Sequence, residues 1–262
     1  MTHALKSLSS TLLGVLISLA VVLAIWAGGL RVLDVSSFIG KGPLDVVGHL
    51  VLDEDAAHHR AAVLGNLGIT LADAAIGFVA GLALAMIVAA GFTLVRGVED
   101  ALLPLAMLLR SVPLVAMAPI LILIFGRGTA TVAAMGGIVV LFPALVTIVL
   151  GLRSASPAMI DVISVFGGSR FTAFRAVAVP ASLPALFTAL RISIPGALTG
   201  ALLAEWLATG QGIGYQIVSD VSRARYDSVW ASVVVVTAAS LVLYGLVSLL
   251  ERLVLRRMGT EA

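Results

Sequence analysis

Four ionisable residues, Asp73, Arg110, Arg191 and Glu205, stand inside or beside long apolar runs, and that placement restricts what they can do. An unpaired charge in the hydrocarbon slab costs at least about 2.5–3.5 kcal/mol on insertion scales. Each must therefore face a partner or a watery path. The guanidinium groups of Arg110 and Arg191 suit bidentate pairing with carboxylate, sulfonate or nitrate oxygens. Asp73 or Glu205 could instead serve a proton or sodium relay. The competing reading is charge neutralisation between helices, with Asp73 or Glu205 set against an arginine, and it weighs as much as a role in a translocation path. Arg110 precedes Pro113 near an expected bend, which places it at the cytoplasmic mouth of that path.

Two further constellations carry weaker chemistry. His58-His59 follows Asp53-Glu54-Asp55, but adjacent histidines rarely both reach one ion and no i, i+4 ligand pattern supports them, so these residues read as a solvated loop and no metal ligand is assigned. Thr209-Gly210-Gln211-Gly212-Ile213-Gly214-Tyr215 is glycine-rich without the Gly-Lys-Ser/Thr of a phosphate-binding loop. Its glycines suit tight backbone turns, and it reads as an outer gate or docking loop. No nucleotide-binding sequence appears in the chain. The absence of cysteine removes disulfides, thiolate metal sites and cysteine nucleophiles.

Elements long enough to cross a bilayer must position these groups. Hydrophobic residues make up 60% of 262 and charged residues 11%, against about 25% charge in ordinary globular chains. With a mean hydropathy of +1.15 this excludes a soluble fold. The formal charge of +2 is too small to imply nucleic acid. A spanning helix needs about 20 apolar residues, and six such segments are expected: Leu12 to Leu33, Leu67 to Val95, Leu102 to Phe125, Thr131 to Leu152, Leu183 to Ala208 and Val229 to Leu253. The chain is thus read as an all-α polytopic membrane protein, one domain over residues 1–262. The first segment follows Lys6, but it is longer than a usual signal core and lacks a clear small-x-small cleavage site, so an uncleaved anchor is expected. Pro104, Pro113 and Pro119 interrupt the third, which predicts a broken helix or an elbow.

Cytoplasmic loops retain positive charge during insertion. With both termini cytoplasmic, Lys6, Arg96, Arg153, Arg170, Arg175, Arg252, Arg256 and Arg257 lie inside, and Arg31, Lys41, Arg60, Arg127, Arg223 and Arg225 outside. The acids Asp45, Asp53, Glu54, Asp55, Asp220 and Asp227 all fall in the two longer outer loops. Pro43 to Leu52 is expected to form a short amphipathic helix lying on the membrane.

The stretch from Ser156 to Pro180 is a polar, glycine-interrupted island on the inner side. Ser156 is placed to cap a helix beginning at Pro157, Gly167-Gly168 to end it, and two short helices at an angle are expected, with Arg170 and Arg175 in the second. The order of residues resembles the cytoplasmic loop of binding-protein-dependent ABC importer permeases. That loop runs Glu-Ala-Ala, three residues, Gly, nine residues, then Ile-x-Leu-Pro; Asp161-Val162-Ile163, Gly167 and Val177-Ala178-Val179-Pro180 stand at the same spacings. Arg110-Ser111-Val112-Pro113, Ala118-Pro119, Phe125-Gly126, Leu190-Arg191, Ala204-Glu205-Trp206 and Gly212-Ile213-Gly214-Tyr215 are similar to the nitrate, sulfonate and taurine branch. Asp73 departs from the basic residue expected in many relatives.

The resemblance implies a type I importer-like fold and a transport subunit, not an enzyme. It implies a homodimer in a bacterial inner membrane, two cytoplasmic ATPase subunits that carry ATP and Mg, and an extracytoplasmic solute-binding protein. The loop 156–180, with Asp161, Gly167, Gly168, Arg170, Val177 and Pro180, would couple the ATPases to the pore. The solute is expected to be a small organic or inorganic anion. Alternatives are a permease for a pyrimidine precursor or aromatic acid, and an ion-coupled secondary transporter, although no internal repeat of the kind common in the latter is visible.

Overall fold

The computed structural model describes residues 2–95, 97, 108 and 111–257, and among them every regular element is helical. The helices are α1 (Thr2–Val32), α2 (Pro43–Val47), α3 (Ala56–Leu94), α4 (Leu114–Phe125), α5 (Thr129–Arg153), α6 (Pro157–Val165), α7 (Arg170–Ala173), α8 (Val179–Ala204), α9 (Gly212–Ser222) and α10 (Tyr226–Arg257). Three π-helical turns, Gly48–Leu52, Phe174–Ala178 and Glu205–Thr209, adjoin α2 and the two ends of α8. By length and composition, α3, α5, the continuous helix Arg170–Thr209 and α10 can each cross a membrane. They match the second, fourth, fifth and sixth expected spans. The first expected span lies within α1, and α4 forms the C-terminal half of the third; most of the other half falls outside the described residues.

Helices α3, α5 and α8 form the centre of the bundle. Apolar side chains gain little from leaving lipid for protein, so membrane helices associate through small residues that let backbones approach. Gly77 and Gly81 on α3, Gly136 and Gly137 on α5 and Gly200 on α8 supply that contact. A Cβ on Gly77 would lie 2.7 Å from Gly136 Cα, and one on Gly200 would lie 2.6 Å from the same atom. Around this crossing, Met135, Val140, Ala144, Ala197 and Ala201 are buried, while much of α1 and α10 is exposed apolar surface.

The loops segregate to two ends. At one end Lys41 pairs with Asp227 at 3.2 Å and Trp230 donates to the Ile39 carbonyl, tying the 34–55 segment to the start of α10. At the other, Arg170 and Phe174 share a cavity with Thr93, Leu94 and Leu152. The expected helix over Pro43 to Leu52 forms, with a π-helical second half, and buries Val46 and His49 while Leu44 and Leu52 stay exposed.

Candidate functional site

The polar island folds as a helix, a turn and a second helix. Pro157 opens α6, but Ser156 stands at its N-cap without a side-chain hydrogen bond, so proline supplies the start and the serine hydroxyl does not. The end is a Schellman turn: Gly167 N–H donates to the Ser164 carbonyl and Gly168 N–H to that of Ile163. Only Gly167 needs its left-handed φ of +78°. Gly168 is required for space, since a Cβ there would meet the Ile163 side chain at 2.3 Å. Ser169 then caps α7 by accepting from Thr172 N–H.

The second short helix is not separate, contrary to expectation. Arg170 begins a helix that continues through the π turn and Pro180 into α8 without a break. In that turn Val179 N–H reaches back five residues to the Phe174 carbonyl, and the widened backbone accommodates a ring that would crowd an ordinary α turn. Arg170 is exposed, Arg175 and Asp161 are exposed, and Val177 and Ala178 are buried against the bundle. Met159, Val162, Val165, Phe166 and Phe171 form an exposed apolar surface on the same unit, with Val165 at 83% and Phe166 at 85%.

At the opposite end, Glu205 anchors the glycine-rich loop. Its carboxyl is fully buried, Oε2 accepts from Gly214 N–H at 2.7 Å, and Oε1 has no donor at hydrogen-bonding geometry among the described residues. Gly212 adopts φ +77°, and its missing Cβ leaves the room that the Glu205 carboxyl occupies. Ile213 N–H donates to Thr70 Oγ1 at 2.9 Å, which fastens the same loop to α3. The first two N–H groups available after Gly212, which a helix start leaves without internal partners, are thus taken by side chains of α3 and of the π turn that follows α8. Asn66, Gln216 and Asp220 continue the polar line outward: Asn66 Nδ2 to Gln216 Oε1 at 3.4 Å, Gln216 Nε2 to Asp220 Oδ2 at 2.8 Å.

Asp73 is half-buried on α3. Neither its carboxylate nor that of Glu205 pairs with Arg191. Arg191 instead meets Glu251 of α10 at 3.0 Å, with its guanidinium 5.9 Å from the centre of the Tyr244 ring. Of the two readings weighed above, neutralisation of Asp73 or Glu205 is therefore not made by Arg191, which is paired with Glu251 instead. Arg110 lies outside the described residues.

The histidine pair also departs from the solvated loop expected of it. His58 is exposed, but His59 lies on the first turn of α3 and stacks on buried His49, with ring centres 3.9 Å apart. Burial and the neighbouring His59 hold the His49 imidazole below its ordinary range.

The comparison with known families matches residues 67–260 to the binding-protein-dependent transport system inner membrane component. A probable ABC transporter permease protein of Haemophilus influenzae is 30% identical over 186 residues, 71% of this chain and 76% of that one. The chain belongs to this family. A riboflavin transport system permease protein of Chloroflexus aurantiacus is 34% identical over 62% of this chain and 60% of its own length. A putative aliphatic sulfonates transport permease protein of Bacillus subtilis is 29% identical over 90% and 84%.

The protein is thus an ABC permease: a multi-pass membrane transport subunit, not an enzyme, of a family that operates with ATPase and substrate-binding partners. Sequence reasoning did not single out Glu251, Thr70, Gln216 or His49 in this permease. Glu251 offered one signal, an acid within the last apolar run opposite in sign to Arg191. Thr70 and Gln216 offered none, because uncharged polar residues recur throughout the spans.

Proposed function

We propose that this permease forms the translocation path of an ATP-driven importer as a homodimer, with one ATPase subunit bound to each copy at residues 156–180. The supporting observation is the exposed apolar surface of Met159, Val162, Val165, Phe166 and Phe171, held on a helix-turn-helix that continues without a break into α8. Such a surface at a loop end belongs against another protein. ATP and Mg on the partner ATPases would close them and move this unit as a lever, Asp161, Arg170 and Pro180 on its exposed side, Val177 and Ala178 rooting it in the bundle. The lever end would face the cytoplasm and the Glu205 end the outside of a bacterial inner membrane, where a solute-binding protein would deliver cargo. Asp73, Glu205 and Arg110 would border the path.

For the solute, the sulfonate-type relative supports a small anion. A second reading, a heterocycle such as a pyrimidine precursor, is favoured by the riboflavin-type relative and by Arg191, whose charge is already engaged by Glu251. The test of the assembly is to place a cysteine at Val165 in this cysteine-free chain and cross-link it in membranes containing its partner ATPase. A specific ATPase adduct is expected, and its absence from assembled complexes would end the lever assignment. A thermal-shift screen of the partner binding protein, sulfonates against pyrimidines, decides the solute.

A further inference from the structure

We propose that His49, Asp53 and His59 form a binding site for a divalent transition-metal ion, zinc by the chemistry of its donors, at the end of the bundle bearing the glycine-rich loop. One nitrogen from each ring and one Asp53 carboxylate oxygen lie within 4.8 Å of one another. The three come from two elements: His49 and Asp53 from the π turn and the residue after it, His59 from the first turn of α3. That turn is what makes the set. With five residues per hydrogen-bonded loop it rotates His49 onto α3, and Asp53 N–H closes it on the Gly48 carbonyl at 3.0 Å.

The surroundings favour a metal ion over two idle imidazoles. His59 Nδ1 lies 3.1 Å from the His49 carbonyl oxygen, which accepts only, so Nδ1 carries the proton and Nε2 keeps its lone pair. A ring nitrogen bonded to a backbone carbonyl, leaving the other free, is the usual support of a ligating histidine. His49 Nε2 is 3.4 Å from Ser228 Oγ, a hydroxyl that can donate or accept. Both rings line a cavity of about 370 Å³ together with Asp220, which is 1% exposed and whose Oδ1 has no hydrogen-bond partner among the described residues. The other charges there are Arg225 and Asp227, the latter already paired with Lys41.

Two imidazoles and one carboxylate match zinc and disfavour magnesium and calcium, which take oxygen ligands. Three protein ligands leave a fourth position for water. Tetrahedral bonds of about 2.0–2.2 Å require donors roughly 3.3–3.6 Å apart, so binding must draw the three together by about an ångström. Asp53 is exposed and free to make that movement, and the partly exposed His59 ring must also turn off its stack on His49, because the in-plane lone pairs of two rings 14° from parallel do not converge on one ion. The ion would pin the 43–52 segment to α3.

The test uses the full permease complex in nanodiscs, stripped with EDTA and titrated with zinc against a chromophoric chelator. One zinc per permease chain is expected. His59→Gln and Asp53→Asn should weaken binding at least about tenfold, and His58→Gln, on the exposed neighbour, should leave it unchanged. His49 is buried, so its variant is not relied on. Zinc should also raise the Tm of the wild type and of His58→Gln but not of His59→Gln. Failure to compete for zinc, binding that survives both His59→Gln and Asp53→Asn, or loss in His58→Gln would each overturn the site.

Discussion

Replacing Gly214 by alanine should detach the glycine-rich loop from the bundle. A Cβ at Gly214 would lie 2.2 Å from the Leu202 carbonyl oxygen and 2.8 Å from Leu202 C and Cα, all backbone atoms of α8 that cannot swing aside. Ordinary contact starts at 3.4 Å, so the start of α9 must retreat by about 1.2 Å. The same retreat stretches the 2.7 Å bond from Gly214 N–H to Glu205 well past bonding distance and leaves a fully buried carboxyl without its donor. Overpacking costs about 1–3 kcal/mol and an orphaned buried polar group about 1–3 kcal/mol, giving about 2–6 kcal/mol together. That is a large part of a typical folding free energy. The assay is denaturant unfolding of the reconstituted permease, with labelling of a cysteine introduced at Ile213 as a local probe. Gly210→Ala is the control: its φ is +68° but its Cβ would meet nothing within 4 Å, so it carries only the left-handed penalty of about 1–2 kcal/mol. If Gly214→Ala unfolds within about 1 kcal/mol of wild type and Ile213Cys stays unlabelled, the buried Glu205 clamp does not hold this loop.

Gly167→Val should abolish uptake and transport-linked ATPase activity while the chain still inserts, because a β-branched residue at φ +78° cannot keep the Schellman turn; normal transport by an assembled variant would refute the lever. Arg191→Gln and Glu251→Gln should each destabilise the permease, with a coupling energy of about 1–3 kcal/mol in a double-mutant cycle on unfolding. Uptake lost in Arg191→Gln should return in the double variant if the arginine serves only its partner, and should stay lost if it contacts the solute. Single cysteines at Ala57 and Ser222 should label from the outer side, and one at Ser169 only after permeabilisation; outer labelling at Ser169 would reverse the proposed orientation.

What could be read from the chain alone was what short stretches of backbone and bulk composition decide. Spans follow from runs of apolar residues because the bilayer has one thickness, and they fall on α3, α5, α8 and α10, although α3 begins eleven residues before the expected Leu67. The turn at Gly167 was legible because all its bonds lie within six residues, and a left-handed φ selects glycine. Its companion Gly168 was visible as a letter but not as a reason, since its role is room for Ile163.

Partners distant in sequence were not legible. A charge in an apolar span states that it needs an opposite charge or water, not which one; Arg191 found Glu251 sixty residues on, and Asp73 and Glu205 found no arginine among the described residues. The π turns were equally hidden. Regular helical periodicity would not have turned His49 onto His59 or carried the helix through Pro180, because each extra residue per turn shifts every later side chain around the axis. The sequence determined by itself where the chain crosses the membrane and where it must turn, since those depend on neighbours along the backbone. Tertiary structure alone decided which polar groups meet, because small glycine contacts between α3, α5 and α8 set the helix positions that bring Thr70, Glu205 and Gly214 together.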